Sequence, residues 1–338
     1  MNKAQAISKD LMQWYDIHKR DLPFRGIENP YFTWVSEIML QQTQVETAIP
    51  YFNRFIKRFK TPCELAKASS DEVLKYWEGL GYYRRARHLH ESAQIICNQY
   101  NGVFPSDLEQ IESLKGVGRY IARAIHSIAF NQPSPAVDGN VIRVMSRVLT
   151  YDKDLTKAPH QREIESYVGK MIQYQTPRDF TQALMELGAM VCQKQPKCEI
   201  CPLKNHCLAY QSGTQSSYPN LPKKTKITHH DYIVFVIQHH GQSILVKRPD
   251  NGLLANLYTF PQYKMSLDDA LRQFSEDFEV TILNHHPLFE LDHVFSHQTW
   301  HLNVYQLDIK DGSKLPWVSL SDFPYAIAKA HLNIIERL

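Results

Sequence analysis

Four cysteines, Cys192, Cys198, Cys201 and Cys207, fall within sixteen residues, with gaps of five, two and five. Nothing else in the chain limits its fold so tightly. Four thiolates this close can surround one metal centre, because each short gap returns the backbone to the same point. Zinc and a [4Fe–4S] cluster both accept four sulfurs. Zinc sites more often use two Cys-x-x-Cys pairs, and this chain has one, Cys198 with Cys201. Cys192 follows Leu187-Gly188-Ala189 near the end of a predicted helix, so a centre there would clasp the end of a helical region. Met1-Asn2-Lys3-Ala4-Gln5 leads into a helical pattern without the apolar core of a secretory signal, which argues against disulfides. Cys63 and Cys97 stand apart and read as small buried hydrophobes.

At 338 residues, two domains are expected. The first two hundred residues carry helical spacing. Asn29-Pro30 has the form of an N-cap followed by proline at the first helical position. Tyr31 to Thr47 reads as one helix, with Val35, Ile38, Met39 and Gln42 on one stripe. Ile121, Ala124, Ile125 and Ile128 repeat that spacing. The polar stretch Gln211 to Lys226, with two prolines and three lysines, reads as a linker. Beyond it, Tyr232–Ile237 and Ser243–Lys247 are short strand candidates around His239-His240-Gly241, a hairpin signal. Leu302 to Ile309 is another strand, and Leu267 to Phe278 an amphipathic helix. The expected fold is an all-α domain over 1–210, an interdomain segment over 211–228 and a smaller α+β domain over 229–338. Charge follows the same division. Residues 1–226 hold 30 lysines and arginines against 22 acids, a balance of +8, while 227–338 hold 8 against 13, or −5. The basic part suits a polyanion, and the acidic part another task. No apolar run approaches the roughly 20 residues of a membrane span.

Three places carry candidate chemistry. Leu114-Lys115-Gly116-Val117-Gly118 lies between two helical patterns, with Arg119-Tyr120 opening the second and Arg123 one turn on. Glycines at a helix N-terminus expose backbone N–H groups that can hold a phosphate. Such contacts position a duplex without reading its sequence. Glu37 has Trp34 and Leu40 at helical spacing, an apolar surrounding that favours the protonated form a general acid needs. Asp138 precedes the helical run Val141 to Leu149, where backbone N–H groups are expected to keep it ionised. One protonated and one ionised carboxyl is the pairing that breaks glycosidic bonds.

Together these residues resemble the MutY-type adenine DNA glycosylases over nearly the whole chain. The resemblance is carried by SEIMLQQTQVET (36–47), GLGYYRRARHLH (79–90), LKGVGRYIARAI (114–125), VDGNVIRV (137–144), ELGAMVC with the cysteine group (186–207), and HVFSH (293–297). It implies an all-α helix-hairpin-helix glycosylase domain whose loop 192–207 holds a [4Fe–4S] cluster, followed by an α+β Nudix-like domain. The implied substrate is double-stranded DNA with adenine opposite 8-oxoguanine or guanine. The implied setting is a monomer in the bacterial cytoplasm, at the nucleoid. Glu37 matches the general acid, Asp138 the carboxylate that stabilises the oxocarbenium-like sugar, and Tyr120 a tyrosine beside that sugar. Gln42 and Tyr82 match residues that wedge into the base stack. Arg25 matches a segment near the adenine pocket, although Phe24 stands where the family usually has Trp. Gly116, Gly118, Arg119 and Asn140 fall among the implied DNA contacts. Phe295, Ser296 and His297 match the loop that recognises 8-oxoguanine. The related endonuclease III type has lysine at the position of Tyr120 and cleaves the strand through a Schiff base; a phenol cannot form that imine. The family's usual first cysteine gap is six, one more than here. The C-terminal part lacks the glycine-flanked Arg-Glu-x-x-Glu-Glu helix of a working Nudix hydrolase, so metal-dependent pyrophosphate hydrolysis is not expected.

Overall fold

The computed structural model describes residues 2–221, 227–310, 312 and 315–338; the linker-like stretch runs on into 222–226, outside them. Two compact units emerge, residues 1–67 with 88–223, and residues 68–87 with 224–338.

The first unit is helical. It contains α1 (Lys3–His18), α2 (Pro30–Leu40), α3 (Val45–Arg58) and α4 (Pro62–Lys67). Next come α5 (Ser70–Trp77) and α6 (Arg84–Gln99), of which residues 70–87 group with the second unit. The first unit resumes with the rest of α6 and α7 (Leu108–Glu112), α8 (Arg119–Ile128), α9 (Gly139–Leu149), α10 (Ala158–Ile172), α11 (Pro177–Met190) and α12 (Leu208–Gln211). Asn29 caps α2 as expected, its side chain accepting from the Tyr31 and Phe32 amides, with Pro30 in the first turn. The single helix expected over 31–47 is instead two. α2 stops at Leu40 and α3 starts at Val45. Between them the Thr43 amide donates to the Leu40 carbonyl, and the Thr43 hydroxyl bonds the Gln41 carbonyl. A short polar side chain that bonds nearby backbone competes with the helix in this way. Leu11, Tyr15, Val144, Ile164, Leu184 and Leu187 join α1, α9, α10 and α11 in one apolar core.

Cys63 and Cys97 are not isolated hydrophobes. α4 and α6 bring them to a Cα–Cα distance of 5.2 Å and a disulfide joins them. Their separation of 34 residues gave no local cue. Part of the linker-like stretch is also held, because Arg147 donates to the carbonyls of Gln215 and Tyr218.

The second unit is built on a four-stranded sheet. Its order is β5 (Gln262–Tyr263), β1 (Thr228–Val236), β7 (Gln298–Lys310) and β6 (Thr281–Val294), with β1 and β7 parallel. Alternate residues of β1 serve opposite faces. Val234 and Val236 join Trp300, Leu302 and α14 (Lys329–Ile335) on one side, whereas Phe235 and Ile237 join α13 (Leu267–Phe278) on the other. The α13 boundaries are those the sequence predicts. The hairpin expected around His239–Gly241 differs. The turn forms, with His239 and Gln242 bridged, but β2 (Gln242–Ile244) pairs with β8 (Trp317–Ser319) rather than β1. A smaller pair joins β3 (Val246–Lys247) to β4 (Tyr258–Thr259).

One ion cluster ties the segment after α1 to α11. Glu186 is buried and receives Arg20 Nε at 2.8 Å and Arg25 Nη2 at 2.9 Å. Burial would raise its carboxyl, but the bonds from Arg20 and Arg25 overcome it and hold the group at about 2. Replacing Glu186 with alanine would leave two guanidinium groups without their acceptor, at a cost of about 3–5 kcal/mol. In denaturant titrations the parent loses this contribution as pH falls from the ordinary carboxylate range towards 2, while Glu186→Ala shows no loss from this source.

Candidate active site

Three side chains from three elements meet in the helical unit. α2 supplies Glu37, α8 supplies Tyr120 in its first turn, and Asp138 caps α9. The Tyr120 hydroxyl donates to Glu37 Oε2 at 2.6 Å. Glu37 is only 8% exposed, and burial pushes its carboxyl up to about 7; the Tyr120 bond opposes this and the nearby Asp138 adds to it. Burial and the two carboxylates together hold the Tyr120 phenol well above its ordinary range. Asp138 Oδ1 accepts from the Val141 amide at 2.7 Å, and Oδ2 from Asn140 Nδ2 at 2.8 Å. The expectation that the helix start governs Asp138 needs correction. Burial is the largest influence and raises it, opposed by these bonds and by Arg143. The arrangement is a carboxyl whose protonated form burial favours, near a second carboxyl fixed by hydrogen bonds.

From Asp138 the bonds continue. Asn140 Oδ1 accepts from Arg143 Nη2 at 2.8 Å, and the same guanidinium donates to the carbonyls of Gly188 at 2.8 Å and Cys192 at 2.7 Å. α9 and α11 approach so closely here that a Cβ on Gly188 would come within 2.6 Å of the Asn140 Cβ. One turn on, Arg147 donates to the Gln193 and Lys194 carbonyls and lies 3.4 Å from Cys192 Sγ. Arg143 and Arg147 escape a sequence reading, because cations on a mostly apolar helix look like a solvated stripe, yet Arg147 is buried.

Cys192, Cys198, Cys201 and Cys207 are all free thiols and line one cavity with Arg147 and Gln215. Burial pushes the Cys201 thiol up to about 12, and the neighbouring cysteines add to it. Among the described residues, no three His, Cys, Asp or Glu side chains close on the position of a single ion. The five-residue gap is bridged by a tight turn in which the Lys197 amide donates to the Val191 carbonyl at 2.9 Å.

The remaining candidates are placed as follows. Gln42 and Tyr82 both have left-handed backbones, with φ of 55° and 46°. Such torsions are costly in residues other than glycine and cluster at functional sites. Tyr82 is 46% exposed rather than packed in the core. Gly116 has φ of 74°, and a Cβ there would meet the His88 side chain at 2.8 Å, so the hairpin needs glycine. Gly118 caps α8. Arg119 forms a bidentate pair with Glu165, at 2.8 and 2.6 Å, and Arg25 is committed to Glu186. Phe295, Ser296 and His297 form the turn between β6 and β7. Phe295 packs edge-on against Trp300 at 4.9 Å, while Ser296 and His297 are exposed.

A carboxyl raised by burial opposes folding once it must ionise. The contribution of Glu37 is fully present below its unfolded value of 4.5 and is lost as pH rises to about 7. The Glu37→Gln variant therefore gains about 3 kcal/mol relative to the parent between pH 4.5 and pH 8, a difference that denaturant midpoints at the two pH values would measure.

The HhH-GPD superfamily base excision DNA repair profile matches residues 35–170, and a NUDIX domain profile matches 233–337. An adenine DNA glycosylase of Buchnera aphidicola subsp. Baizongia pistaciae is 35% identical over 92% of this chain and 90% of its own length. An adenine DNA glycosylase of Arabidopsis thaliana is 35% identical over 88% of this chain, which spans 56% of that longer relative. Among solved structures, a thermostable thymine-DNA glycosylase superposes with a TM-score of 0.56 at 25% identity, over 62% of this chain and 97% of its own. With a base-excision repair profile over the stretch that holds Glu37 and Asp138 and an adenine glycosylase matched along both lengths, this chain belongs to the adenine DNA glycosylase family of the HhH-GPD superfamily.

Proposed function

We propose that this protein is a monofunctional adenine DNA glycosylase, acting on adenine opposite 8-oxoguanine or guanine in duplex DNA. The observation that carries the reading is Glu37, buried, bonded to Tyr120 and pushed up to about 7. Near neutral pH about half of such groups carry a proton, the condition in which an acid both holds and releases it. The adenine must first leave the stack, because its glycosidic bond is shielded within the duplex. Gln42 and Tyr82, on their strained turns, fill the space it vacates. Glu37 then protonates N7 of adenine, and the C1′–N9 bond breaks with its electrons going to the base. Asp138 stabilises the positive sugar, and water adds to C1′ with loss of a proton to Glu37. Tyr120 holds the Glu37 carboxyl in place and offers no amine, so the strand stays intact.

The domain assignment, 1–210 for excision and 229–338 for recognition, belongs to this reading. The exposed Ser296 and His297 offer hydrogen bonds to 8-oxoguanine, and Phe295 an aromatic face. No helix among the described residues is long and apolar enough to cross a membrane. Four free thiols around one cavity suit a multi-atom cluster better than a single ion, and we assign them to a [4Fe–4S] cluster. When bound, the cluster would supply a rigid clasp on the 192–207 loop.

A single-turnover assay on a duplex with one A:8-oxoguanine pair tests the activity. Strand breaks should appear only after alkali; breaks without alkali, with borohydride trapping, contradict the monofunctional reading. Metal analysis of the purified protein should find iron and visible iron–thiolate absorbance; zinc without iron contradicts the cluster.

A further inference from the structure

Residues 68–87 lie inside the sequence of the helical part, yet by their contacts they belong to the unit built on the sheet. Two side chains of the segment bond backbone groups of the sheet-bearing part. Glu78, 17% exposed, ends α5. Its Oε1 accepts from the Ile327 amide at 2.7 Å, and its Oε2 from Lys75 Nζ at 2.7 Å. Tyr258 pairs with the Ala326 carbonyl and the Ala328 amide, which turns the intervening Ile327 N–H away from β4 and leaves it for Glu78. Lys75 also donates to the Tyr325 carbonyl at 3.3 Å. The second anchor is Arg87, whose Nη1 donates to the Ala255 carbonyl at 3.1 Å. Ala255 is buried between Leu254 and Asn256, both with positive φ, so this carbonyl has a fixed direction. The exposed Asp71–Lys247 pair contributes little by comparison. A charged acceptor on the amide of a buried residue, Ile327, is the stronger contact.

Between the anchors lies the turn that carries Tyr82. Gly79 and Gly81 have φ of 93° and 76°. Trp77 Nε1 donates to the Gly81 carbonyl at 3.0 Å, and the Gly79 amide to the Tyr83 hydroxyl at 3.0 Å. Arg85 donates to the Gly81 carbonyl at 3.1 Å and its guanidinium lies 5.3 Å from the Tyr82 ring. The turn is therefore stiff within itself and fixed at both ends to the sheet unit, with Tyr82 exposed on it. The Phe295–His297 turn belongs to the same unit.

We propose that Glu78 and Arg87 are positioning residues through which the α+β part sets the Tyr82 turn, so that stack wedging and 8-oxoguanine reading are properties of one body. This rests on Tyr82 acting as the wedge. Recognition of 8-oxoguanine then depends on two residues that touch neither base.

The test uses the full chain and the variants Glu78→Ala, Glu78→Gln, Arg87→Met and Tyr82→Ala. Three quantities are measured: amide exchange at Ile327, the fluorescence of 2-aminopurine placed beside 8-oxoguanine, and affinity for A:8-oxoguanine and A:G duplexes. Glu78→Ala should speed Ile327 exchange roughly tenfold, the loss of one hydrogen bond. It should also lose the stacking signal and weaken 8-oxoguanine affinity towards the level of Tyr82→Ala. Arg87→Met should reproduce the stacking and affinity losses with the Glu78 anchor intact. Glu78→Gln keeps an oxygen for the Ile327 amide and should retain most of the parent signal. Parent-like stacking and affinity in both Glu78→Ala and Arg87→Met, with Tyr82→Ala impaired, would overturn the positioning role and leave the wedge standing. An unimpaired Tyr82→Ala would overturn the wedge itself, and the proposal with it.

Discussion

The cost of burying one carboxyl organises the helical unit. Glu37 sits on α2 among apolar neighbours, where its charge is disfavoured, and Tyr120 supplies a single hydrogen bond in partial compensation. That bond requires the first turn of α8 to reach α2, which the glycine hairpin before it permits. Gly116, with its left-handed backbone against His88, is the point at which no side chain fits. Asp138, at the start of α9, raises Glu37 further without touching it. The site is thus a product of burial more than of specific contacts, and its proton affinity follows from packing.

The second carboxyl is also raised by burial, but more hydrogen bonds oppose the shift. Asp138 is held by donors from its own helix start, and one of them, Asn140, is held in turn by Arg143, which reaches the 188–192 segment. Arg147 fixes the next residues of the same loop. Hydrogen bonds therefore run without a break from the cysteine loop to the Asp138 carboxyl. A cluster held by the four cysteines would act on that loop directly.

Much of this was legible in the sequence where the signal was local. The Asn29-Pro30 cap, the span of α13 and the apolar surroundings of Glu37 each follow from residues within one or two turns. What escaped was non-local or a competition between near-equal effects. The break at 41–44 includes a bond from the Thr43 hydroxyl to the Gln41 carbonyl and a left-handed Gln42. The Cys63–Cys97 bond joins helices 34 residues apart. Asp138 looked governed by a helix start, but burial outweighs it. Arg25, expected near the adenine pocket, and Arg119, expected among the DNA contacts, are paired with Glu186 and Glu165. The grouping of 68–87 with the sheet includes a bond between a carboxylate and a backbone amide almost 250 residues apart, a pairing no spacing rule encodes.

Burial pushes the Glu37 carboxyl up to about 7, so that it holds its proton towards neutrality. A carbon-13 carboxyl NMR titration of glutamate-labelled protein measures this directly, with the Glu37 signal assigned by its absence in Glu37→Gln. A midpoint near 7 is expected, and a midpoint near the ordinary 4.5 would contradict the account.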